Sequence, residues 1–176
     1  MRKVFPGILG FLLLFAWPLH AQYRASRSYQ PPLMTWDIGG GFGAYGSYSY
    51  SELDLGLNYR FLRPFAWRNM VWDRFANSPV SAAGVDSSLR YEYFQSSSEN
   101  GKGFYFFAGP GLRLATNNFS GYFAELGLIV RTGGLNIGGG VKVINYASPS
   151  KDPNSGATLP TQDTVIFIIL GGGGAL

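Results

Sequence analysis

The carboxylates best placed to do chemistry in this 176-residue chain are Glu92 and Glu125, each on the polar side of an alternating segment. A pair of that kind could work as a general acid and base. The same side also carries Arg90 and Arg113, which makes ion pairing the better account of all four. Other reactive groups are scarce. There is no cysteine, and the single histidine, His20, lies in the leading segment. Thiolate sites, Ser-His-Asp triads and the common histidine metal centres are therefore excluded. Residues 41–46, GFGAYG, match the dinucleotide pattern G-x-G-x-x-G, but SYSYSELDLGL follows where that motif needs a helix. Gly171 to Gly174 could form a phosphate nest, although they follow the last apolar run. Asp152 and Asp163 are too far apart in sequence for a calcium loop. Asn118-Phe119-Ser120 is a glycosylation sequon that matters only in a eukaryotic secretory host. No catalytic, cofactor-binding or metal-binding residue is assigned, and no cofactor is expected.

The elements that hold these residues follow from composition and period. Apolar residues make up 46% of the chain, aromatics 16% and charged residues only 14%, with 25 glycines, roughly twice the usual share. Such a chain is too apolar for a disordered one and poorer in charge than most soluble domains. Arg2 and Lys3, the apolar run 4–17 and the small Ala21 have the layout of a cleaved secretory signal, residues 1–21. Without them, 12 basic and 10 acidic residues remain. No basic stripe suited to nucleic acid is present. Residues 22–34 read as an extended periplasmic lead-in, and 35–176 as one β domain.

In that domain the dominant period is two. Residues 52–62, ELDLGLNYRFL, put Leu53, Leu55, Leu57, Tyr59 and Phe61 on one side, and Asp54, Gly56, Asn58 and Arg60 on the other. Similar alternation marks 36–44, 88–93, 104–114, 122–131 and 135–143. Residues 164–170 are apolar on both sides, and 65–75 (FAWRNMVWDRF) have strand composition with poor alternation. No amphipathic helix is evident. Eight strands of about ten residues result, with tight connections at Arg63-Pro64 and 132–134 and longer ones at 77–84 and 147–163.

Alternation does not say which face meets which solvent. Three features favour apolar side chains outward. Glycine runs occupy the polar side, as a crowded closed lumen requires. The charges there, Asp54, Glu92 and Glu125 with Arg60, Arg90, Arg113 and Lys142, nearly balance in sign and can pair across a narrow lumen. Aromatics near strand ends (Trp36, Tyr48, Tyr50, Tyr59, Phe61, Trp67, Trp72, Tyr91, Tyr93, Phe119, Tyr122 and Tyr146) suit girdles at the two membrane interfaces. The expectation is an all-β, eight-stranded antiparallel up-and-down transmembrane barrel. At eight strands, side chains just fill the interior, so the lumen is expected to be plugged.

With its signal segment, the strand-and-turn ELDLGLNYRFLRP, glycine–aromatic alternation and eight strands, the chain resembles the small OmpA/OmpX-like outer-membrane β-barrel proteins of Gram-negative bacteria. The resemblance covers about residues 35–176, in pattern. It implies periplasmic termini and a role in adhesion, envelope stability or lipid modification. The expected location is the outer membrane. Expected partners are outer-membrane lipid, including lipopolysaccharide, and an unidentified surface partner reached through loop 147–163. A structural or interactive role is the leading expectation, with no enzymatic activity. One alternative is a soluble lipocalin-like barrel that binds a small apolar ligand, which needs Leu53, Leu55 and Leu57 inward. Another is a small channel whose charges line water.

Overall fold

A computed structural model describes residues 32–76, 80–96, 102–148, 151–152 and 155–172. The expected signal segment and most of the lead-in lie outside that set, as do residues 173–176. Eight strands follow one another: β1 (Met34–Tyr45), β2 (Tyr48–Leu62), β3 (Phe65–Phe75), β4 (Ala82–Ser96), β5 (Gly103–Ala115), β6 (Gly121–Thr132), β7 (Leu135–Tyr146) and β8 (Gln162–Gly172). Each pairs antiparallel with its neighbour, and β1 pairs with β8, so the sheet closes into a barrel. None of the described residues is helical.

Two-residue connections at Gly46-Ser47 and Gly133-Gly134 use φ values of 64° and 69° at their first glycine, a region open to glycine at no steric cost. Arg63-Pro64, joined by a cis peptide bond, links β2 to β3. One end of the barrel thus carries the first and last residues of the sheet with the 63–64, 97–102 and 133–134 connections. The opposite end carries connections 46–47, 76–81, 116–120 and 147–161. Strands β4 and β8 start earlier than the sequence suggested, which moves 82–84 and 162–163 out of the expected loops.

β3 explains its own illegibility. Its inward residues are Ala66, Arg68, Met70, Trp72 and Arg74, while Asn69 and Asp73 stand on the outer side. Polar and apolar types are mixed on both faces, so hydrophobicity does not track the pleat.

Candidate functional site: the charged interior

The outer wall is apolar. Leu53, Leu55 and Leu57 are 55%, 53% and 56% exposed, and Ile38, Phe42, Leu112, Leu114, Leu126 and Ile166 share that wall. The inner face is the reverse: Arg74, Arg90 and Asp86 are each 1% exposed and Arg113 is fully buried. The inward leucines needed by a lipocalin-like ligand site are absent from the described interior.

All seven charged residues expected in the lumen point inward, and the structure joins them to seven others. At the end carrying the sheet's first and last residues, Arg60 pairs with Glu92 and donates to the Pro32 carbonyl at 2.8 Å. Deeper in, the Glu125 carboxylate accepts from Arg90 Nε and Nη2, both at 2.9 Å, and from the Ser88 hydroxyl at 2.6 Å. Beside it Arg68 bridges Asp37 (2.5 Å) and Asp54 (3.2 Å). Next, Arg113 donates to Asp86 at 2.8 Å and to Glu52 at 3.0 Å, and Lys142 reaches Asp86 at 2.7 Å. Last, Arg74 joins Glu52 (2.8 Å) to Asp163 (3.2 Å), whose Oδ2 also accepts from the Tyr50 and Tyr146 hydroxyls. Arg131 donates to Tyr105 and to the Gly133 carbonyl.

Several cations also sit over a ring: Arg74 over Tyr50 at 3.7 Å, Arg113 over Trp72 at 3.9 Å and Arg90 over Phe107 at 4.1 Å. A guanidinium is suited to this double use, giving edge-on forks to carboxylates and its face to aromatics. Each of the interior carboxylates Asp37, Glu52, Asp54, Asp86, Glu92, Glu125 and Asp163 thus touches a cation.

Glycines make room for this packing. A Cβ at Gly56 would lie 2.6 Å from Asp37 Oδ1 and 2.9 Å from Arg68 Nη2, and one at Gly111 would run into the Phe123 ring. Two interior spaces lined by described residues are small: about 30 Å³ beside Asp37, Asn58, Arg60, Glu92, Tyr105 and Asn136, and about 10 Å³ between Asp54, Arg68, Glu125 and Lys142. Each volume holds a water or two at most.

The aromatic girdle needs correction. Tyr50, Trp72, Phe119 and Tyr146 are 4%, 3%, 1% and 5% exposed and point inward or into the mouth. With Tyr45, Val80 and Leu159 they form an apolar cap at the end opposite Arg60. Tyr45, Phe119 and Tyr146 meet edge to face at 5.2–5.5 Å, and the Tyr45 hydroxyl donates to the Pro160 carbonyl. These side chains serve a closed interior, where their apolar area is buried and the polar tips of the tyrosines and of Trp72 find partners. The outward aromatics Trp36, Tyr59, Phe61, Trp67 and Phe106 lie toward the Arg60 end, and Phe42, Phe75 and Tyr122 stand outward toward the cap.

The minor motifs resolve structurally. Gly41 and Gly43 are inward residues of β1 and Gly46 belongs to a hairpin turn, with no helix following. In the sequon, Ser120 bonds the backbone of Ala115 at both N–H and carbonyl, and Phe119 enters the cap. Asp152 accepts from Tyr48 through its side chain, whereas Asp163 is buried under Arg74. No cluster of metal-ligating side chains occurs among the described residues.

Topology and polarity together define a closed eight-stranded barrel with an apolar outside and a charged inside. The chain matches no protein-family profile and no curated protein sequence. Two solved structures are similar in fold. The crystal structure of Neisserial surface protein A (NspA) superposes with a TM-score of 0.53 at 11% identity, covering 79% of this chain and 94% of that one. A barrel from the de novo design of transmembrane β-barrels gives a TM-score of 0.49 at 18% identity, covering 81% and 98%.

Proposed function

We propose that this protein is an integral outer-membrane barrel with a plugged lumen, working as a structural element of the envelope and presenting the loops at its capped end to the outside. The observation that carries the reading is the inverted polarity. Twenty or more large apolar side chains stand exposed around a wall whose inside holds buried ion pairs. In water such a wall would be an aggregation surface; in hydrocarbon it is the stable arrangement, and closure leaves no unpaired strand edge. The fold shared with a Neisserial surface protein supports the same location. A small OmpA/OmpX-like barrel fits this description.

The plug rests on the layered ion pairs and the apolar cap, and the absence of catalysis on the engagement of every interior carboxylate by a cation. Lipid, including lipopolysaccharide, would cover the outer wall, and 147–161, the longest connection between strands, would meet a partner outside the cell. The test is membrane fractionation, followed by gel electrophoresis of the detergent-extracted outer membrane with and without boiling. A band in that fraction whose mobility changes on heating is expected. A soluble band without a heat shift overturns the reading. Planar-bilayer recording separates plug from channel: no unit conductance is expected, and steady single-channel steps would establish the small-channel alternative.

A further inference from the structure

The outer wall carries one interruption. Among the serine, threonine, asparagine, glutamine and charged side chains facing outward on the described strands, all but two lie within three residues of a strand end. The exceptions, Asn69 on β3 and Ser87 on β4, stand directly opposite each other in the register. Ser87 is engaged, because the Trp67 indole N–H donates to its hydroxyl at 2.8 Å. No hydrogen bond reaches the Asn69 side chain among the described residues. Around this amide are the exposed Leu55, Leu57, Trp67, Val71, Val85 and Leu89. Asn69 is the fifth of eleven residues in β3, so it stands near mid-height of the wall.

We infer that this face of β3 and β4 is a contact between two copies of the chain, joined by reciprocal Asn69 hydrogen bonds. The inference rests on the membrane reading above. At mid-depth an acyl chain offers neither donor nor acceptor, so lipid leaves the amide unsatisfied. A second copy satisfies it with one residue. The carboxamide has both an N–H donor and a carbonyl acceptor, and a two-fold axis along the membrane normal sets each against its counterpart.

The geometry also spares the nearest charge. Asp73 lies four residues along β3, roughly 13 Å at 3.3 Å per residue. With strands tilted about 40°, two β3 strands cross at Asn69 and diverge from it. The two Asp73 carboxylates then stand roughly 17 Å apart, too far for direct contact.

The chain has no native cysteine, so single cysteines report proximity cleanly. Val71→Cys lies on the proposed contact and Leu126→Cys on β6, away from it. Each protein is reconstituted into phospholipid vesicles and treated with a short bis-maleimide. Cross-linked dimer is expected at Val71→Cys and at most a trace at Leu126→Cys. Adding Asn69→Leu to Val71→Cys should reduce the dimer several-fold while leaving the heat-dependent gel shift intact. Equal cross-linking at the two sites overturns the proposal, as does dimer that survives Asn69→Leu. A membrane-embedded, heat-modifiable barrel that stays monomeric at every protein-to-lipid ratio defeats this inference alone. A chain recovered in the soluble fraction defeats the membrane reading and this one with it.

Discussion

Glu125 shows how a buried charge is made tolerable here. Two guanidinium nitrogens of Arg90 and the hydroxyl of Ser88 supply three of the roughly four hydrogen bonds it can accept, and Arg90 in turn lies over Phe107. Removing one partner strands the other. Glu125→Ala should therefore cost about 3–5 kcal/mol, read as a lower urea midpoint for the folded barrel. The double variant Glu125→Leu, Arg90→Met should recover most of that loss, since paired apolar replacements are often near neutral. An unchanged midpoint in Glu125→Ala would mean the pair carries no stabilising weight. Residue by residue, the interior was half legible. Asp54, Arg60, Arg90, Glu92, Arg113, Glu125 and Lys142 could be found because their neighbours alternate cleanly. Glu52 shares the parity of Asp54 and could have been added by that rule, as could Asp37 and Arg131, both on polar sides of their strands. Arg68 and Arg74 were hidden by the mixed faces of β3, and Asp86 and Asp163 by strands that start earlier than their alternation does.

At the level of the strand, two substitutions probe opposite faces of one sheet. On the inside, Gly43 faces the Tyr50 ring, and an added Cβ would lie 2.9 Å from Tyr50 Cε2. Gly43→Val should displace that ring, break its 2.6 Å bond to Asp163 and destabilise by about 1–3 kcal/mol or more, measured by the same unfolding experiment. On the outside, Leu55 is the central residue of β2 and half exposed. Leu55→Arg should cost about 2–4 kcal/mol if hydrocarbon surrounds it. A change within about 0.5 kcal/mol, usual for a water-facing surface position, would contradict the membrane reading. Strand number and the apolar side of β2 were plain in the sequence because Leu53, Leu55 and Leu57 repeat without a break. The destination of the aromatics was not. Tyr50 and Trp72 occur near strand ends just as girdle residues do; Tyr50 shares the parity of Glu52 and Asp54, but Trp72 lies on the mixed faces of β3, and pairing in space shows both turned inward to meet Arg74 and Arg113.

Across the whole barrel, the proposed plug has two parts in series. Ion-pair layers fill the middle, and the cap of Tyr45, Val80, Phe119, Tyr146 and Leu159 closes one mouth. Either alone should stop ion flow. Leu159→Ala, which thins the cap without touching a charge, is expected to leave planar bilayers silent. Conductance steps in that variant would place the barrier in the cap and not in the charged layers. Among the described residues the interior holds seven carboxylates and seven cations, Arg131 included, so these charges balance and draw no counter-ions inward.

The pairing of β1 with β8, from Trp36 opposite Gly172 to Gly43 opposite Val165, also governs when the protein can become itself. The seam joins positions about 120 to 136 residues apart, and Arg74 reaches its Asp163 partner 89 residues further along the chain. During synthesis, every intermediate short of the last strand has two open edges and cations whose counter-charges have not yet emerged. Maturation is therefore an event that waits for β8. A chain cut before β8 should yield no smaller barrel, only an unclosed sheet left to the quality-control proteases of its compartment.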